Sequence, residues 1–259
     1  MESIVTSSSS SITTVLVVGA TGSIGRLVTE ESVRHGYITR ALVRNEASRR
    51  DLDPKAQIVV GDLTAAAALT AAVDGIDAVV FTHGSHGGAA QAEAVDYGAV
   101  KNVLTALNGR RVRIALMTAI GVTTRTDGHD WKRRGERLVR ASGNAYTVVR
   151  PGWFDYNDDD ELAITLLQGD TRHAGSPADG VIARRQIARV LVDSLGSATA
   201  DHLTFELVAE KGPAPEDLDP LFAALDKDGD LDGVRDQANL PSGSEPERVT
   251  DHLASITAN

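Results

Sequence analysis

Cysteine is absent from this chain, and aromatic side chains are scarce: two Trp, four Tyr and four Phe. Without thiols there is no disulfide, no thiolate nucleophile and no cysteine-based metal site. A reducing compartment fits that composition. With so few rings, Val, Ile, Leu and Ala must do the packing, and a hydrophobic fraction of 42% over 259 residues is enough for a sizeable core. Positive charge is also in deficit, because 26 Lys and Arg face 36 Asp and Glu, for a formal net charge of −10. Nucleic acid and anionic membranes need positive fields and are disfavoured as main partners, although Arg44, Arg49 and Arg50 form a local basic spot. No apolar run approaches the roughly 20 residues of a membrane span. Residues 1–12, with Ser7 to Ser11, lack the basic and apolar stretches of a signal peptide and read as a flexible leader. A soluble, cytoplasmic protein is the default expectation.

Short β-branched runs alternate with longer helical stretches. Strands are expected at Thr14–Val18, Ile38–Val43, Gln57–Val60, Asp77–Phe81, Arg113–Met117 and Tyr146–Val149. Helices are expected at Ile24–His35, Ala65–Val73, Ala89–Leu107 and Trp131–Ala141. Strands of nearly continuous apolar character, alternating with helices, imply an α/β fold: a Rossmann-type, doubly wound parallel sheet covered on both faces. After Pro151 the rhythm changes, through an Asp-rich loop (Asp155 to Glu161) to an apolar stretch at Leu162–Leu167. A helix at Arg184–Leu195, a strand at Leu203–Val208 and two short helical patterns near Leu218–Leu225 and Glu247–Ile256 complete the chain. Residues 13–155 thus read as a dinucleotide-binding core. Residues 156–259 read as a smaller substrate-covering portion integrated with it and laid over the strand ends.

The run Val15-Leu-Val-Val-Gly-Ala-Thr-Gly-Ser-Ile-Gly-Arg26 carries the chemistry. A buried strand ends in glycines at 19, 22 and 25, and a helix opens at once. Backbone amides over Thr21, Gly22, Ser23, Ile24 and Gly25 then sit at the positive end of a helix dipole, which suits a diphosphate. The end of the second strand bears on the choice between NAD and NADP. Arg44 stands where NAD binders usually place an acid for the ribose 2′-hydroxyl, and a guanidinium favours a 2′-phosphate. NADP(H) is therefore expected over NAD(H); the alternative is a solvated Arg44 with Glu46 serving the ribose of NAD. Asp62 after the third strand has two readings, an acceptor for the adenine amine with Leu63 over the ring, or the cap of the next helix. Thr82, His83 and Gly84 follow the fourth strand, where the chain passes the adenosine ribose.

Gly19–Gly25, Arg44, Gly61-Asp62-Leu63, Asp96 to Asn102 and Tyr146-Thr-Val-Val-Arg-Pro-Gly152 together resemble the atypical short-chain dehydrogenase/reductases. Within them the chain is similar to the NmrA-like, NAD(P)H-binding branch that contains flavin/biliverdin-type reductases. The resemblance spans about residues 14 to 155 and continues to about 208. It implies an NADP(H)-dependent oxidoreductase moving a hydride to or from a small organic carbonyl or conjugated substrate. Ordinary members carry Ser and Tyr-x-x-x-Lys, in which the phenol exchanges the carbonyl proton. Here Lys132 matches the lysine, which would hold the nicotinamide ribose. Thr118 matches the serine and would hydrogen-bond the substrate oxygen, but Gly128 falls where the tyrosine should be. Lys132 also begins the run Lys132-Arg-Arg134, which reads equally as a solvated helix face. In relatives the segment Pro151, Gly152, Trp153 and Phe154 passes beside the nicotinamide, which makes Tyr156 a candidate proton donor; His83, His86 and His129 are others. The same branch includes dinucleotide-sensing regulators and non-redox enzymes, so a non-catalytic NADP sensor or a lyase or cyclase are the competing classes. Analogy with related folds suggests a homodimer.

Asp226-Lys-Asp-Gly-Asp-Leu-Asp-Gly233 imitates a calcium loop. Counted from Asp228, however, position 12 is Asn239 and not the bidentate glutamate. A solvated acidic turn is the favoured reading, and no metal site is expected.

Overall fold

The computed structural model describes residues 12–85 and 87–258. Most of the expected leader and His86 lie outside them. Ten strands form one sheet in the spatial order β3-β2-β1-β4-β5-β6-β10-β9-β7, with β8 paired to β10. The strands are β1 (Thr14–Val18), β2 (Ile38–Val43), β3 (Gln57–Val60), β4 (Ala78–Phe81), β5 (Arg113–Met117) and β6 (Tyr146–Pro151), then β7 (Trp153–Phe154), β8 (Ala163–Leu167), β9 (Val181–Ile182) and β10 (Leu203–Glu210). β1 to β6 pair in parallel, and β10 extends the parallel sheet by lying beside β6, Leu203 against Thr147. β8 returns antiparallel on β10, with Glu206 opposite Leu167. This is the Rossmann-like sheet expected from the alternating pattern.

β1 shows why the strands read as unbroken apolar runs. Val15 and Val17 belong to one buried cluster, shared with α1 (Ser23–Arg34) and α6 (Arg184–Gly196). Leu16 and Val18 belong to the other, shared with α4 (Gly98–Leu107), α5 (Asp127–Ala141) and α8 (Glu247–Thr257). Side chains alternate across a strand, and with helices on both faces every position must be apolar. Strand order reverses between β1 and β4, so the crevice at the carboxyl ends of these two strands is the place where such sheets take ligands.

Several boundaries move. Asp77 sits outside β4 because its carboxylate accepts from the amides of Thr13 and Thr14, at 2.9 and 2.8 Å. α5 starts four residues before Trp131, where the Thr126 side chain accepts from the His129 amide. The long helix before β5 is divided: α3 (Ala89–Gln91) runs into a π-helical turn at Ala92–Tyr97 before α4 resumes. Among the described residues no helix is long and apolar enough to cross a membrane.

The larger correction concerns charge. The run Lys132-Arg-Arg134 is not a solvated face. Arg133, Arg134, Arg137 and Arg140 are all buried on α5, as is Arg150 on β6. Segment 226–245 lies along α5 and supplies carboxylates to these guanidiniums. Asp232 accepts from Arg133 and Arg137, Glu245 from Arg134 and Arg137, and Asp228 from Arg140 and the Tyr146 phenol. The calcium-like loop is therefore only in part a solvated turn: Asp228 and Asp232 are taken up by buried arginines, whereas Asp226 and Asp230 are exposed. Arg150 is wholly buried, with its fork 2.7 Å from both oxygens of Asp236 and from Glu136 Oε2. Burial works against the Glu136 carboxylate, but Arg150 and Arg140 hold its pKa down to about 2.

Removing one partner of a buried pair strands the other charge. Arg150→Met should lower unfolding stability by about 3–5 kcal/mol, read as a fall in the urea midpoint without a change in slope. A third carboxylate, Glu206, lies 3.3 Å from Arg150, whose fork already serves two acids. Burial, with Asp170 nearby, pushes its pKa up to about 7 despite Arg150. A carboxyl whose folded pKa exceeds its unfolded value holds its proton more tightly when folded. Stability should therefore fall as pH rises from about 4.5 to 7, and Glu206→Gln should flatten that slope in urea titrations across the window.

Candidate functional site

The glycine-rich turn is built by close approach. Gly19 has φ +84°, and a Cβ there would sit 2.7 Å from the His83 amide nitrogen, so β1 and β4 could not converge at the crevice. A Cβ on Gly25 would drive into the carbonyl of Gly19. The first bond of α1 runs from the Arg26 amide to the Gly22 carbonyl, which leaves the amides of Ser23, Ile24 and Gly25 ahead of it. Thr21, Gly22 and Ser23 are exposed, whereas the Ile24 side chain is buried, so Ile24 offers only its amide.

Around this turn the expected residues divide. Arg44 is exposed at the end of β2, and its charge reaches Asp62. Asp62 Oδ1 accepts from the amide and hydroxyl of Thr64, at 2.8 and 2.7 Å, and these two bonds lower the acid's pKa. Asp62 thus closes a local turn on Thr64 and does not cap the next helix, whose N-cap position is Ala65. The Leu63 carbonyl accepts from Asn102 Nδ2 at 2.6 Å, which ties the end of β3 to α4. Thr82 turns inward: its hydroxyl donates to the Val18 carbonyl at 3.0 Å and closes β4 against β1, with its proton not offered to a ribose. Gly84 is exposed beside it.

His83 is distinctive. Burial pushes its pKa down to about 4, so the ring is neutral at pH 7. Nε2 faces the Asp96 carbonyl at 3.3 Å, and a carbonyl can only accept, so the proton is on Nε2. Nδ1 is then a buried acceptor without a partner among the described residues. The π-helical turn presents the Asp96 carboxylate, which accepts from the amide and hydroxyl of Ser85 and from Lys132 Nζ at 2.7 Å. One of the three ammonium protons of Lys132 is committed there, and two remain for a ribose.

Thr118 corrects an expectation. Its hydroxyl donates to Glu136 Oε1 at 2.7 Å, within the buried network, so that proton is not available to a substrate oxygen. Tyr156 departs as well. It is 63% exposed, packs edge-to-face on Trp153, and does not line the cavity described next.

That cavity, of about 390 Å³, opens past the carboxyl ends of β5 and β6. Ile120 and Gly121 form one wall, Pro151, Gly152, Trp153 and Phe154 a second, and His173, Gly175 and Asp179 a third. Gly152 is required where β6 meets Gly180, whose carbonyl a Cβ would strike. Asp170, wholly buried, accepts from the amides of Gly121 and Thr123 at 2.6 and 2.7 Å and so fixes the loop after β5. Two imidazoles enter from one side. His129 Nδ1 donates to the Thr124 carbonyl at 3.0 Å, which leaves Nε2 free of that bond. His173 Nδ1 lies 2.8 Å from Thr124 Oγ1. His129 stands one residue beyond Gly128, the position that a tyrosine would fill. His173, Asp170 and Glu136 carried no local sequence signal; only the fold assembles them.

A pyridine dinucleotide fits these residues. The collar of glycines excludes side chains where a diphosphate would lie, three leading amides face it, and the orphaned His83 Nδ1 awaits a hydroxyl donor. The comparisons agree. The NAD(P)H-binding family matches residues 19–198, and the chain belongs to it. An uncharacterised chloroplastic protein of Arabidopsis thaliana is 28% identical over 82% of this chain and 75% of its own length. Sanguinarine reductase of Eschscholzia californica is 24% identical over 82% of this chain and 96% of its own. A solved structure of NAD-dependent epimerase/dehydratase type from Bacillus halodurans superposes with a TM-score of 0.68, at 25% identity, over 82% of this chain and all of that one. The atypical short-chain dehydrogenase/reductase resemblance therefore holds, and a nicotinamide dinucleotide is the cofactor of the family.

Gly25→Ala should weaken nicotinamide dinucleotide binding by at least about tenfold, since the added methyl forces the leading amides out of line. Fluorescence titration of the nucleotide measures this.

Proposed function

We propose that the chain is an NADP(H)-dependent oxidoreductase that reduces a small carbonyl or conjugated substrate in the cavity beyond β5 and β6. The observation that carries this reading is the cavity itself. It is apolar on the Ile120, Pro151, Trp153 and Phe154 sides, opens at the carboxyl ends of strands next to the dinucleotide crevice, and has two imidazoles on its rim. When bound, the cofactor supplies a hydride at its nicotinamide ring. The chain's own residues do the rest. Gly19 to Gly25 hold the diphosphate, Arg44 the 2′-phosphate, and His83 and Lys132 the ribose hydroxyls. Pro151 to Phe154 exclude water and position the acceptor. Proton delivery falls to His129 as the imidazolium, which carries a proton on Nε2 besides the one that Nδ1 gives to the Thr124 carbonyl, or to water.

A relative that is a reductase by name, from Eschscholzia californica, supports an enzyme of this class. A second reading draws on Gly128 and Thr118. With no tyrosine at position 128 and the threonine proton committed to Glu136, the ordinary hydroxyl pair is missing. A protein that only senses the dinucleotide would tolerate this.

One experiment separates them. NADPH and NADH are titrated onto the protein and its Arg44→Ala variant, and NADPH oxidation is then followed with 9,10-phenanthrenequinone and a panel of aldehydes and ketones. The oxidoreductase reading expects NADPH to bind more tightly than NADH, a loss of about tenfold or more for NADPH alone on Arg44→Ala, and turnover with a carbonyl. Equal losses for both nucleotides would sink the 2′-phosphate assignment. Tight binding without oxidation of any acceptor would favour the sensor.

A further inference from the structure

We propose that Arg184, on the far side of the sheet's sequence from the glycine-rich turn, is a ligand of the cofactor diphosphate. This rests on the dinucleotide reading above and adds to it a residue that neither the glycine motif nor the second strand points to. Arg184 opens α6, and α6 packs beside α1 in the same buried cluster. The heads of the two helices are therefore neighbours. Arg184 Nε lies 3.2 Å from Oγ of Ser23, the first residue of α1 and the owner of one of the three leading amides. The guanidinium thus stands at the mouth of the amide cradle.

Its other contacts leave it free to act there. The Arg184 amide donates to Asp155 Oδ1 at 2.9 Å, and Nη1 donates to Asp155 Oδ2. A guanidinium carries five N–H donors, and the side chain spends two of them on Ser23 and Asp155; neither contact uses Nη2. The ion pair is open to solvent, with about a third of the Arg184 side chain and half of that of Asp155 exposed. A pair so exposed is worth little and exchanges readily, whereas a diphosphate offers a planar fork two charge-assisted bonds. The stem is steered by packing: the guanidinium carbon lies 5.3 Å from the centre of the Phe154 ring. Phe154 also lines the substrate cavity. Arg184 therefore touches the cofactor cradle with one edge and the cavity wall with its face.

Position and charge distinguish its task from that of Arg44. Arg44 reads the 2′-phosphate, which only NADP carries. Arg184 meets the diphosphate, which NADPH and NADH share. Arg184→Met should weaken both nucleotides by the same factor, about tenfold, in fluorescence titrations on protein whose thermal melt shows it folded. Asp155→Asn is the companion variant. Asp155 has φ +59°, which asparagine tolerates, and the substitution removes the competing carboxylate charge while keeping the turn. Both nucleotides should then bind as tightly as in the parent protein, or more tightly.

Three results would overturn the proposal. They are unchanged binding on Arg184→Met, a loss confined to NADPH, and a matching loss on Asp155→Asn. The last would mean that the pair merely holds the turn after β7. Failure of the parent protein to bind either nucleotide would refute the dinucleotide reading itself, which is a different outcome.

Discussion

The constraint on which the rest depends is the need to neutralise five buried guanidiniums. Arg133, Arg134, Arg137 and Arg140 line α5, and Arg150 stands beside them on β6. None can lose its proton, so each must find carboxylates or carbonyls at the depth where it lies. The chain provides them from far away in sequence, at Asp228, Asp232, Asp236 and Glu245, with Glu136 and Glu206 closer in. Such pairs add little net stability over an apolar core of the same shape. What they impose is register. Segment 226–245 has few large apolar side chains to bury, yet it can lie along α5 in only one alignment without stranding a charge. Several of the chain's acids, which looked like a property of the surface, are thereby internal and matched by arginines.

That alignment reaches the site. Glu136 accepts from Thr118 as well as from Arg150 and Arg140, so the residue expected to touch substrate is instead the top of the ionic network. Asp170, held against Glu206 through its amide, fixes the loop that floors the cavity. The cofactor side is organised differently, by glycines that permit close backbone approach and by short side-chain contacts to neighbouring turns. The crevice is thus a backbone device, while the cavity is a product of side chains from many segments.

This division explains what was legible. A strand–turn–helix with glycines at 19, 22 and 25 is a local pattern whose geometry follows from sterics, and the strand boundaries followed from apolar runs that have cover on both faces. The reading of α5 failed because amphipathicity assigns charge to water. Its polar face is instead buried by acids about a hundred residues onward, and no local period carries that information. The calcium-like loop failed for the same reason, since Asp228 and Asp232 satisfy arginines that the loop itself does not contain. The π-helical turn that aims Asp96 at Lys132 depends on one extra residue per turn in the backbone, which leaves no trace in composition. His173 and Arg184 belong to no motif in the sequence and acquire partners only when β9 and α6 return to the sheet.

The same docking sets a proton. Gln237 lies in the segment that Arg133 grips through the Gln237 carbonyl and Asn239. The Gln237 Oε1 accepts from Asn239, which turns its NH₂ group toward His173 Nε2 at 3.1 Å. An NH₂ can only donate, so Nε2 of His173 is the acceptor and the ring proton sits on Nδ1, facing Thr124 Oγ1. His129 donates from its own Nδ1 to the carbonyl of the same threonine. Both rings are therefore held in one tautomer around a single residue, but only His129 keeps an uncommitted nitrogen. A buried ionic lock on α5 and the proton inventory of a cavity at the strand ends are in this way two ends of one set of hydrogen bonds.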